Sequence, residues 1–308
     1  MPSVAIHVPI TMNEHFSVML NLLVRSLAKN AELPPDWRII VTVSRDSDLT
    51  LQSECYRWVE DYPIEFRMLD QGLWDRLKYD GHAPQQLNYE LTADVVLFMD
   101  ADTLVVNSLR SLIDVISNTN AVCGWPAWFS PPLDFDELFQ RAGIKNPEYK
   151  LKYSGYGIDF MLPKWAPPYF NFGCVGMPGS LANEMGKTFL HDLEFVMDNF
   201  PNYFASQVAL ALNIVRNGYD YYELDERYNV GTGDIDPPKF QEPEALMLYK
   251  KSMAVMADPR VLHYCVNTES FQKTRDMATW DSVRLFLEKP GLKDVQLILQ
   301  NTIKELLP

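Results

Sequence analysis

Four pairs of aspartates in this sequence have the spacing Asp-x-Asp, in which two carboxylates can share one divalent cation. The pairs are Asp46/Asp48, Asp100/Asp102, Asp134/Asp136 and Asp234/Asp236. Spacing does not choose among them, but only Asp100 directly ends an unbroken apolar run, residues 95–99. Such a run is typical of a strand buried on both faces of a parallel sheet, and ligands bind beyond the carboxyl ends of such strands. Asp100 and Asp102 are therefore the predicted metal site. The other pairs are interpreted as ordinary carboxylates outside the metal site, with substrate binding by the pairs Asp134/Asp136 and Asp234/Asp236 as the alternative.

Two carboxylates at the rim of a sheet suit a hard cation such as Mn²⁺ or Mg²⁺, which keeps open positions for the oxygens of a diphosphate. In glycosyl transfer from a nucleotide sugar the leaving group is a nucleoside diphosphate, and the cation stabilises the charge that develops on it. The alternative for the same residues is a solvated turn at a strand end. The chemistry predicted from the pair is metal-assisted transfer from a diphosphate donor.

The elements that must position this pair alternate between apolar β-type runs and helical patterns, the signature of a parallel sheet covered by helices. Residues 4–9 and 38–43 are predicted strands, and 12–29 have a helical period with Asn13 suited to the N-cap. The other predicted strands are 64–69, 95–99, 121–125, 170–177 and 221–224, and the other predicted helices are 51–60, 85–92, 109–117, 181–198, 206–217, 280–287 and 292–306.

Composition argues against several other classes of protein. The net charge is -14 and no basic cluster is present, whereas nucleic-acid binding relies on clustered Lys and Arg. The sequence has no apolar run of roughly 20 residues and no basic segment before an apolar stretch, so neither a transmembrane segment nor a secretory leader is expected. The 4 cysteines form no CxxC pair, which indicates neither a zinc knuckle nor a redox motif. Free thiols and a cytoplasmic location are the expectation, and the even count leaves disulfides open.

Residues 126–168 are rich in proline and aromatic residues and are predicted to form a long irregular segment, a kind that is usually functional inside a compact domain. Sugar rings pack their CH faces on aromatic surfaces, so Trp125, Trp128 and Tyr156, with Asp159, are the predicted acceptor-binding residues. The alternative is that the aromatic side chains anchor the segment to the core. Residues 153–157 are interpreted as a lid over the donor.

Several segments together resemble a known family. Residues 96–105, Val-Leu-Phe-Met-Asp-Ala-Asp-Thr-Leu-Val, resemble the metal-binding strand of glycogenin and its retaining glycosyltransferase relatives, which are GT-A enzymes of family 8 type. Further segments similar to that family's motifs are Asn13-Glu14-His15-Phe16, Phe170-Asn171-Phe172-Gly173, Ser206-Gln207, Tyr228-Asn229 and Val261-Leu262-His263-Tyr264. Their order and approximate spacing agree over residues 4–265, and only the first segment is specific by itself.

The resemblance implies an α/β fold of GT-A type, Rossmann-like, with a mostly parallel central sheet flanked by helices. It implies one domain over residues 1–270, including the acceptor-side excursion 126–168, with a C-terminal helical extension over 271–308. The implied activity is Mn²⁺-dependent, retaining transfer of a hexose or pentose from a nucleotide-diphosphate sugar, a UDP-sugar in the family, to a glycan or another hydroxyl acceptor. The apolar face of the last predicted helix is expected to pack on the domain, and a homodimer contact or a contact with a membrane surface is the alternative.

Carried over residue by residue, the resemblance implies three sets of site residues. The implied metal ligands are Asp100, Asp102 and His263, whose imidazole suits Mn²⁺. The implied catalytic residues are the two aspartates and Gln207. The implied donor-binding residues are Pro9, Ile10, Thr11, Asn13, Phe16, Ala101, Asn171, Gly173 and Gln207.

The chain departs from the family near the diphosphate. The run 264–269, Tyr-Cys-Val-Asn-Thr-Glu, lacks the family's phosphate-contacting lysine, which Lys273 or Arg275 could replace. Ser206 stands where relatives carry an Asp discussed as a nucleophile, which favours same-face substitution above Gln207 and leaves an inverting reaction with a carboxylate base open. The alternatives to a transferase are a catalytically silent nucleotide-sugar or glycan-binding protein and a phosphatase of haloacid dehalogenase type. The phosphatase motif has a Gly between its second Asp and its Thr, whereas here Thr103 directly follows Asp102.

Overall fold

The computed structural model describes residues 2–45, 50–77, 92–127, 133–145, 147–148, 151–152, 165–201, 204–232, 254, 257–264, 277, 279–292 and 294–307. The strands in these ranges are β1 Val4–Ile10, β2 Arg38–Val43, β3 Ile64–Met68, β4 Val95–Phe98, β5 Thr103–Val105, β6 Ala121–Pro126, β7 Leu151–Lys152, β8 Trp165–Ala166, β9 Phe170–Pro178, β10 Asp220–Glu223, β11 Val230–Gly231 and β12 Val261–His263.

The helices in the same ranges are α1 Glu14–Asn30, α2 Gln71–Leu77, α3 Arg110–Asn118, α4 Phe135–Arg141, α5 Gly179–Gly186, α6 Phe189–Asn199, α7 Ala205–Asn217, α8 Trp280–Glu288 and α9 Asp294–Leu306. Two segments, Glu54–Asp61 and Glu226–Tyr228, are 3-10 helices. None of the helices described combines the length and the apolar character needed to span a membrane.

The centre of the protein is a 7-stranded sheet in the order β10-β6-β9-β4-β1-β2-β3. Neighbouring strands run parallel except at β9, which lies antiparallel between β4 and β6. The sequence-based prediction of a mostly parallel sheet flanked by helices is confirmed. The carboxyl ends of β1, β2 and β4 consequently meet at one edge, where sites of α/β sheets lie.

Strand β4 is apolar at every position because both of its faces are buried. Val95 and Leu97 belong to a core that includes α1, α3, α8 and α9. Val96 and Phe98 point to the other face, into a second core formed with α4, α5, α6 and α7. This double burial is what the run before Asp100 predicts, and it fixes the position of that aspartate at the end of a rigid strand.

Helix α1 begins where the sequence predicts. The side-chain oxygen of Asn13 accepts a hydrogen bond of 2.8 Å from the backbone N–H of Phe16, so Asn13 is the N-cap. The helix follows β1 directly and packs on the core face of the sheet through a stripe that includes Leu20, Leu23 and Leu27. The first loop of the sheet is therefore short and anchored at both sides.

Two predicted elements are corrected by the structure. The single helix predicted over 181–198 is two helices, α5 and α6, separated at Lys187 and Thr188. The hydroxyl oxygen of Thr188 accepts a hydrogen bond of 2.9 Å from Asn213 of α7, a tertiary contact that no local pattern reveals. The helix predicted over 51–60 is the 3-10 helix Glu54–Asp61. The predicted helix 85–92 lies outside the described residues except for Thr92.

A second sheet, in the order β11-β12-β5, stands beside the carboxyl end of β4. Strand β12 pairs antiparallel with β5 and parallel with β11. The side-chain amide of Gln296 on α9 donates to the backbone oxygen of Thr232, just after β11, at 3.4 Å. The last helix therefore supports the small sheet directly.

His7, buried in the central sheet, makes the stability of the fold depend on pH. Its side chain is fully buried on β1, with its ring 5.4 Å from that of Phe98 on β4. Burial, and then the charges of Arg67 and Arg38, lower the pKa of His7 from 6.5 to about 3. The unfolded chain therefore binds a proton that the folded protein excludes. The stability that this group contributes is complete above pH 6.5 and is lost as the pH falls from 6.5 towards 3.

We expect His7→Gln to reduce the acid sensitivity of unfolding, because the amide does not titrate. The free energy of unfolding by urea, compared between about pH 7 and about pH 4.5, should fall less in the variant than in wild type, by on the order of a few kcal/mol. His191→Gln is the matched control, since the His191 side chain is 73% exposed on α6. Equal pH dependence in wild type and His7→Gln would contradict this account.

Candidate metal centre

A tight turn between β4 and β5 carries the two predicted metal-binding aspartates. The backbone N–H and the hydroxyl of Thr103 both donate to the backbone oxygen of Asp100, at 3.2 Å and 2.7 Å. Ala101, between the aspartates, is 3% exposed. The backbone N–H of Tyr264 donates to the backbone oxygen of Asp102 at 3.1 Å. The turn is thus held by hydrogen bonds from both of its flanks, which orients the carboxylates.

His263 reaches these carboxylates from a strand more than 150 residues further along the chain. It lies on β12 opposite Thr103 of β5. Its Nε2 atom is 3.2 Å from Oδ1 of Asp102 and 3.7 Å from Oδ2 of Asp100. One ligand atom from each of the three residues lies within 4.8 Å of the other two. The structure therefore brings together the three residues whose meeting the metal hypothesis requires.

The geometry of the cluster fits a divalent cation. In an octahedral site with bonds of about 2.1 Å, adjacent ligand atoms are about 3 Å apart, which is close to the separations seen here. Two carboxylates supply hard oxygen ligands and an imidazole supplies a nitrogen, a set that suits Mn²⁺ as well as Zn²⁺ or Fe²⁺. Three protein ligands on one side of an ion leave its other positions for a second molecule.

The pKa values of Asp100 and His263 are shifted by burial and by the negative charge of the cluster. The Asp100 side chain keeps 35% of its surface exposed, and yet burial, together with the neighbouring Asp102 carboxylate, raises the pKa of Asp100 to about 6. Burial lowers the pKa of His263, but Asp102 and then Asp100 raise it more, so its net shift is upward. Negative charge contributes to both shifts, after burial for Asp100, and a bound cation would offset that charge.

Behind His263 lies a row of hydrogen-bonded amide groups, of which Asn229 is buried and Asn171 is half-buried. The backbone N–H of Gly173 donates to Oδ1 of Asn171 at 2.8 Å, and Nδ2 of Asn229 donates to the same oxygen at 2.9 Å. Oδ1 of Asn229 is 3.0 Å from Nδ1 of His263. A Cβ atom on Gly173 would lie 2.4 Å from Nδ1 of His263 and 2.7 Å from Oδ1 of Asn229. Only glycine fits at this position.

The predicted donor-binding residues of the first loop lie at the carboxyl end of β1. Pro9 is partly exposed, and the side chain of Ile10 is fully buried in the core. The hydroxyl of Ser44, after β2, donates to Oγ1 of Thr11 at 2.9 Å, so the ends of two parallel strands are joined. Asn13 caps α1, and Phe16 is partly buried on its first turn with its ring 5.9 Å from that of His15. The donor contacts of these residues stay predictions.

The other predicted site residues are distributed as follows. Gln207 lies on the first turn of α7, and its Oε1 atom is buried with no hydrogen-bond partner among the described residues. Trp125, on β6, is only 4% exposed. Asp134 is the N-cap of α4, accepting from the backbone N–H of Asp136 at 2.8 Å, and Asp136 lies on the first turn of that helix and not in a loop. Outside the described residues lie Trp128, Tyr156, Asp159, Lys273, Arg275 and the pairs Asp46/Asp48 and Asp234/Asp236.

Comparisons with known proteins identify the fold. No protein-family description and no curated protein matches this sequence. Solved structures do match. The bifunctional glycosyltransferase WbbM, in its apo form, has a TM-score of 0.59 and 16% identity over 98% of this chain and 52% of WbbM. The galactosyltransferase LgtC, in complex with donor and acceptor sugar analogues, has a TM-score of 0.52 and 14% identity over 90% of this chain and 95% of LgtC. Mouse xyloside xylosyltransferase 1 has a TM-score of 0.51 and 12% identity over 87% of this chain and 99% of its own.

These matches define the class of fold. The chain has the fold of the GT-A glycosyltransferases, which confirms the fold that the sequence resemblance implies. At identities of 12% to 17% the likeness concerns the fold alone, and membership of family 8 stays a prediction. This chain spans about half the length of WbbM.

Asn229 is the residue at this site whose role the sequence did not show. The pair Tyr228-Asn229 is similar to a family motif, but the sequence predicts no role for it. Its contact with His263 joins residues 34 positions apart, and its contact with Asn171 joins residues 58 positions apart. No local pattern carries that information.

We expect Gly173→Ala to weaken binding of Mn²⁺ roughly tenfold or more, because its Cβ would push the imidazole of His263 and its amide partner out of place. The affinity is measured from the electron paramagnetic resonance signal of free Mn²⁺. Gly231→Ala is the matched control, since Gly231 lies opposite His263 on β11 and an added Cβ would meet nothing within 4 Å. Equal affinity in the two variants would show that the crowding at Gly173 does not matter to the cation.

Proposed function

We propose that this protein is a Mn²⁺-dependent glycosyltransferase that moves a hexose or pentose from a nucleotide-diphosphate sugar, a UDP-sugar in the first instance, to a hydroxyl acceptor such as a glycan. One observation carries the proposal: Asp100, Asp102 and His263 converge at the carboxyl end of β4 in a GT-A fold. That edge of the sheet is where α/β proteins bind their ligands. The meeting of these three residues at that edge therefore supports a ligand site there.

Each ligand residue has a distinct part in the proposed reaction. Asp100 and Asp102 supply negative charge to hold the cation, and a neutral His263 completes the set of protein ligands without adding charge. A bound Mn²⁺ would act as a Lewis acid towards the departing nucleoside diphosphate. The buried turn around Ala101 keeps both carboxylates in place before the donor arrives, so little reorganisation is needed during transfer.

Retention of configuration is proposed, with Gln207 beneath the anomeric carbon. Its buried Oε1 without a described partner supports this role, since a buried carbonyl oxygen without a hydrogen bond favours a polar or positively polarised ligand. The neighbouring Ser206 is a poor nucleophile without a general base, which favours same-face substitution over a covalent glycosyl-enzyme. In this mechanism the side-chain dipole of Gln207 stabilises positive charge on the sugar.

What the structural neighbours bind supports the class of donor and acceptor. One neighbour is the galactosyltransferase LgtC in complex with donor and acceptor sugar analogues, and another is a xylosyltransferase. Nucleotide sugars that carry a hexose or a pentose are therefore the first donors to test. A catalytically silent nucleotide-sugar-binding protein is the outcome to distinguish, because Ser206 replaces the family's acid.

We expect transfer, or slow hydrolysis, of a radiolabelled UDP-sugar in the presence of Mn²⁺, and we expect Asp102→Asn to reduce it by roughly 100-fold or more. Asp136→Asn is the matched control, because it changes an aspartate of another Asp-x-Asp pair, on α4. The measurement uses UDP-glucose, UDP-galactose and UDP-xylose with and without a chelator. Donor binding in a thermal-shift assay with no turnover would favour the silent binding protein.

We expect Gln207→Ala to lower the rate constant for transfer by roughly 100-fold while leaving the affinity for Mn²⁺ unchanged, because the side-chain dipole acts on the sugar and not on the cation. The measurement is kcat under saturating donor together with Mn²⁺ titration of the same preparation. A fall in Mn²⁺ affinity parallel to the fall in kcat would instead assign Gln207 to the support of the metal centre.

A further inference from the structure

The order of donors and acceptors in the row of amide groups behind His263 follows from its first group, the backbone N–H of Gly173. A backbone N–H can only donate a hydrogen bond. The atom of Asn171 that faces the N–H of Gly173, at 2.8 Å, must therefore be its oxygen. The orientation of the Asn171 amide is thus set by the main chain of β9, at a half-buried position of the central sheet.

The orientation of Asn229 follows from that of Asn171. The oxygen of Asn171 can only accept, so the atom of Asn229 that approaches it to 2.9 Å must be the amide nitrogen. The oxygen of Asn229 is then the atom that faces Nδ1 of His263, at 3.0 Å. This oxygen can only accept in its turn, so Nδ1 of His263 must carry a hydrogen. The hydrogen bonds that link these four groups therefore determine which nitrogen of the neutral imidazole carries the hydrogen.

We propose that Asn229 and Asn171 are positioning residues that keep the hydrogen of the neutral His263 ring on Nδ1 and so present the lone pair of Nε2 to a cation held by Asp100 and Asp102. The inference depends on the metal site of the proposed function and not on sugar transfer. Side chains that hold the far nitrogen of a metal-binding histidine fix both its tautomer and its ring orientation. Here the far partner is an amide oxygen whose own orientation is anchored to the backbone.

The alternative tautomer shows why this control matters. With its hydrogen on Nε2, the ring would donate directly to Asp102, whose Oδ1 is only 3.2 Å away. That hydrogen bond would be favourable by itself, and it would close the ligand set to a cation. With the hydrogen on Nδ1, the lone pair of Nε2 faces carboxylate oxygens, an arrangement of acceptors that only a cation or a proton satisfies. The amide row therefore favours the open form of the site.

Burial makes the amide row difficult for water to replace. Asn229 is 4% exposed and His263 is 5% exposed. The three polar atoms lie close around Gly173, since a single Cβ there would lie within 2.8 Å of all three. Because solvent has little access to the buried contact between Asn229 and His263, loss of the Asn229 amide should free the ring and not simply substitute a water for the lost partner.

The test uses metal ion alone and two independent measurements. Binding of Mn²⁺ is followed by electron paramagnetic resonance, and the position of the ring hydrogen is read in metal-free protein labelled with ¹⁵N-histidine, in alkaline buffer, where a neutral imidazole has one hydrogen. The chain has 5 histidines, and His263→Gln assigns the signal. The breaking variants are Asn229→Leu and Asn171→Leu. Asn171→Asp is the conserving variant, because it keeps an acceptor oxygen in the same place.

We expect wild type and Asn171→Asp to show the Nδ1–H form, and both leucine variants to lose it and to bind Mn²⁺ about tenfold or more weakly. Asn21→Leu is the control for removal of a buried asparagine, since Asn21 is 2% exposed on α1 and its side chain accepts from Arg25. Melting temperatures identify any variant that fails to fold, and the two leucine variants give separate chances of a folded protein.

The inference is overturned if wild type has its hydrogen on Nε2, or if a folded leucine variant retains both the Nδ1–H form and wild-type affinity for Mn²⁺. A weaker affinity in Asn21→Leu equal to that of Asn229→Leu would also overturn it, by showing a general effect of destabilisation. If the leucine variants lose the Nδ1–H form and bind Mn²⁺ more weakly as expected, but no sugar transfer is detected in wild type, the inference stands and the proposed function is contradicted instead.

Discussion

Repulsion between two carboxylates at the end of a buried strand is the constraint on which the site depends. Two unit charges about 4 Å apart repel by about 4 kcal/mol at an effective dielectric of about 20, a large amount beside the net stability of a domain. After burial, the Asp102 carboxylate contributes to the upward pKa shift of Asp100, and both carboxylates raise the pKa of His263. A cation bound between the two carboxylates would offset this cost.

The scaffold is built so that this cost does not deform it. Asp100 follows a strand that is buried on both faces, and His263 lies on a strand paired on both edges. The support for His263 comes from a third direction, β9 of the central sheet. Carboxylates, imidazole and amides thus belong to separate pieces of backbone, and no single loop carries the site.

The local parts of this arrangement were predictable from sequence, and the tertiary parts were not. The apolar run before Asp100 and the N-cap at Asn13 consist of neighbouring residues, so periodicity and capping rules find them. Nothing adjacent to His263 marks it, and the sequence predicts it only through a resemblance spread over the chain. The break at Thr188 and the role of Asn229 depend on contacts with residues 25 and 34 or more positions away, which local rules do not describe.

The pairing of β12 with β5 has a consequence of its own. Val261, Leu262 and His263 lie opposite Val105, Leu104 and Thr103 in a ladder of only three pairs. Successive side chains on a strand point to opposite faces, so a slip of one residue would turn the imidazole into the apolar core and present a leucine to the carboxylates. Alignment of this short ladder therefore affects both the core and the candidate metal centre: a chain misaligned by one residue would bury a polar ring among apolar side chains and leave the two carboxylates without their third ligand.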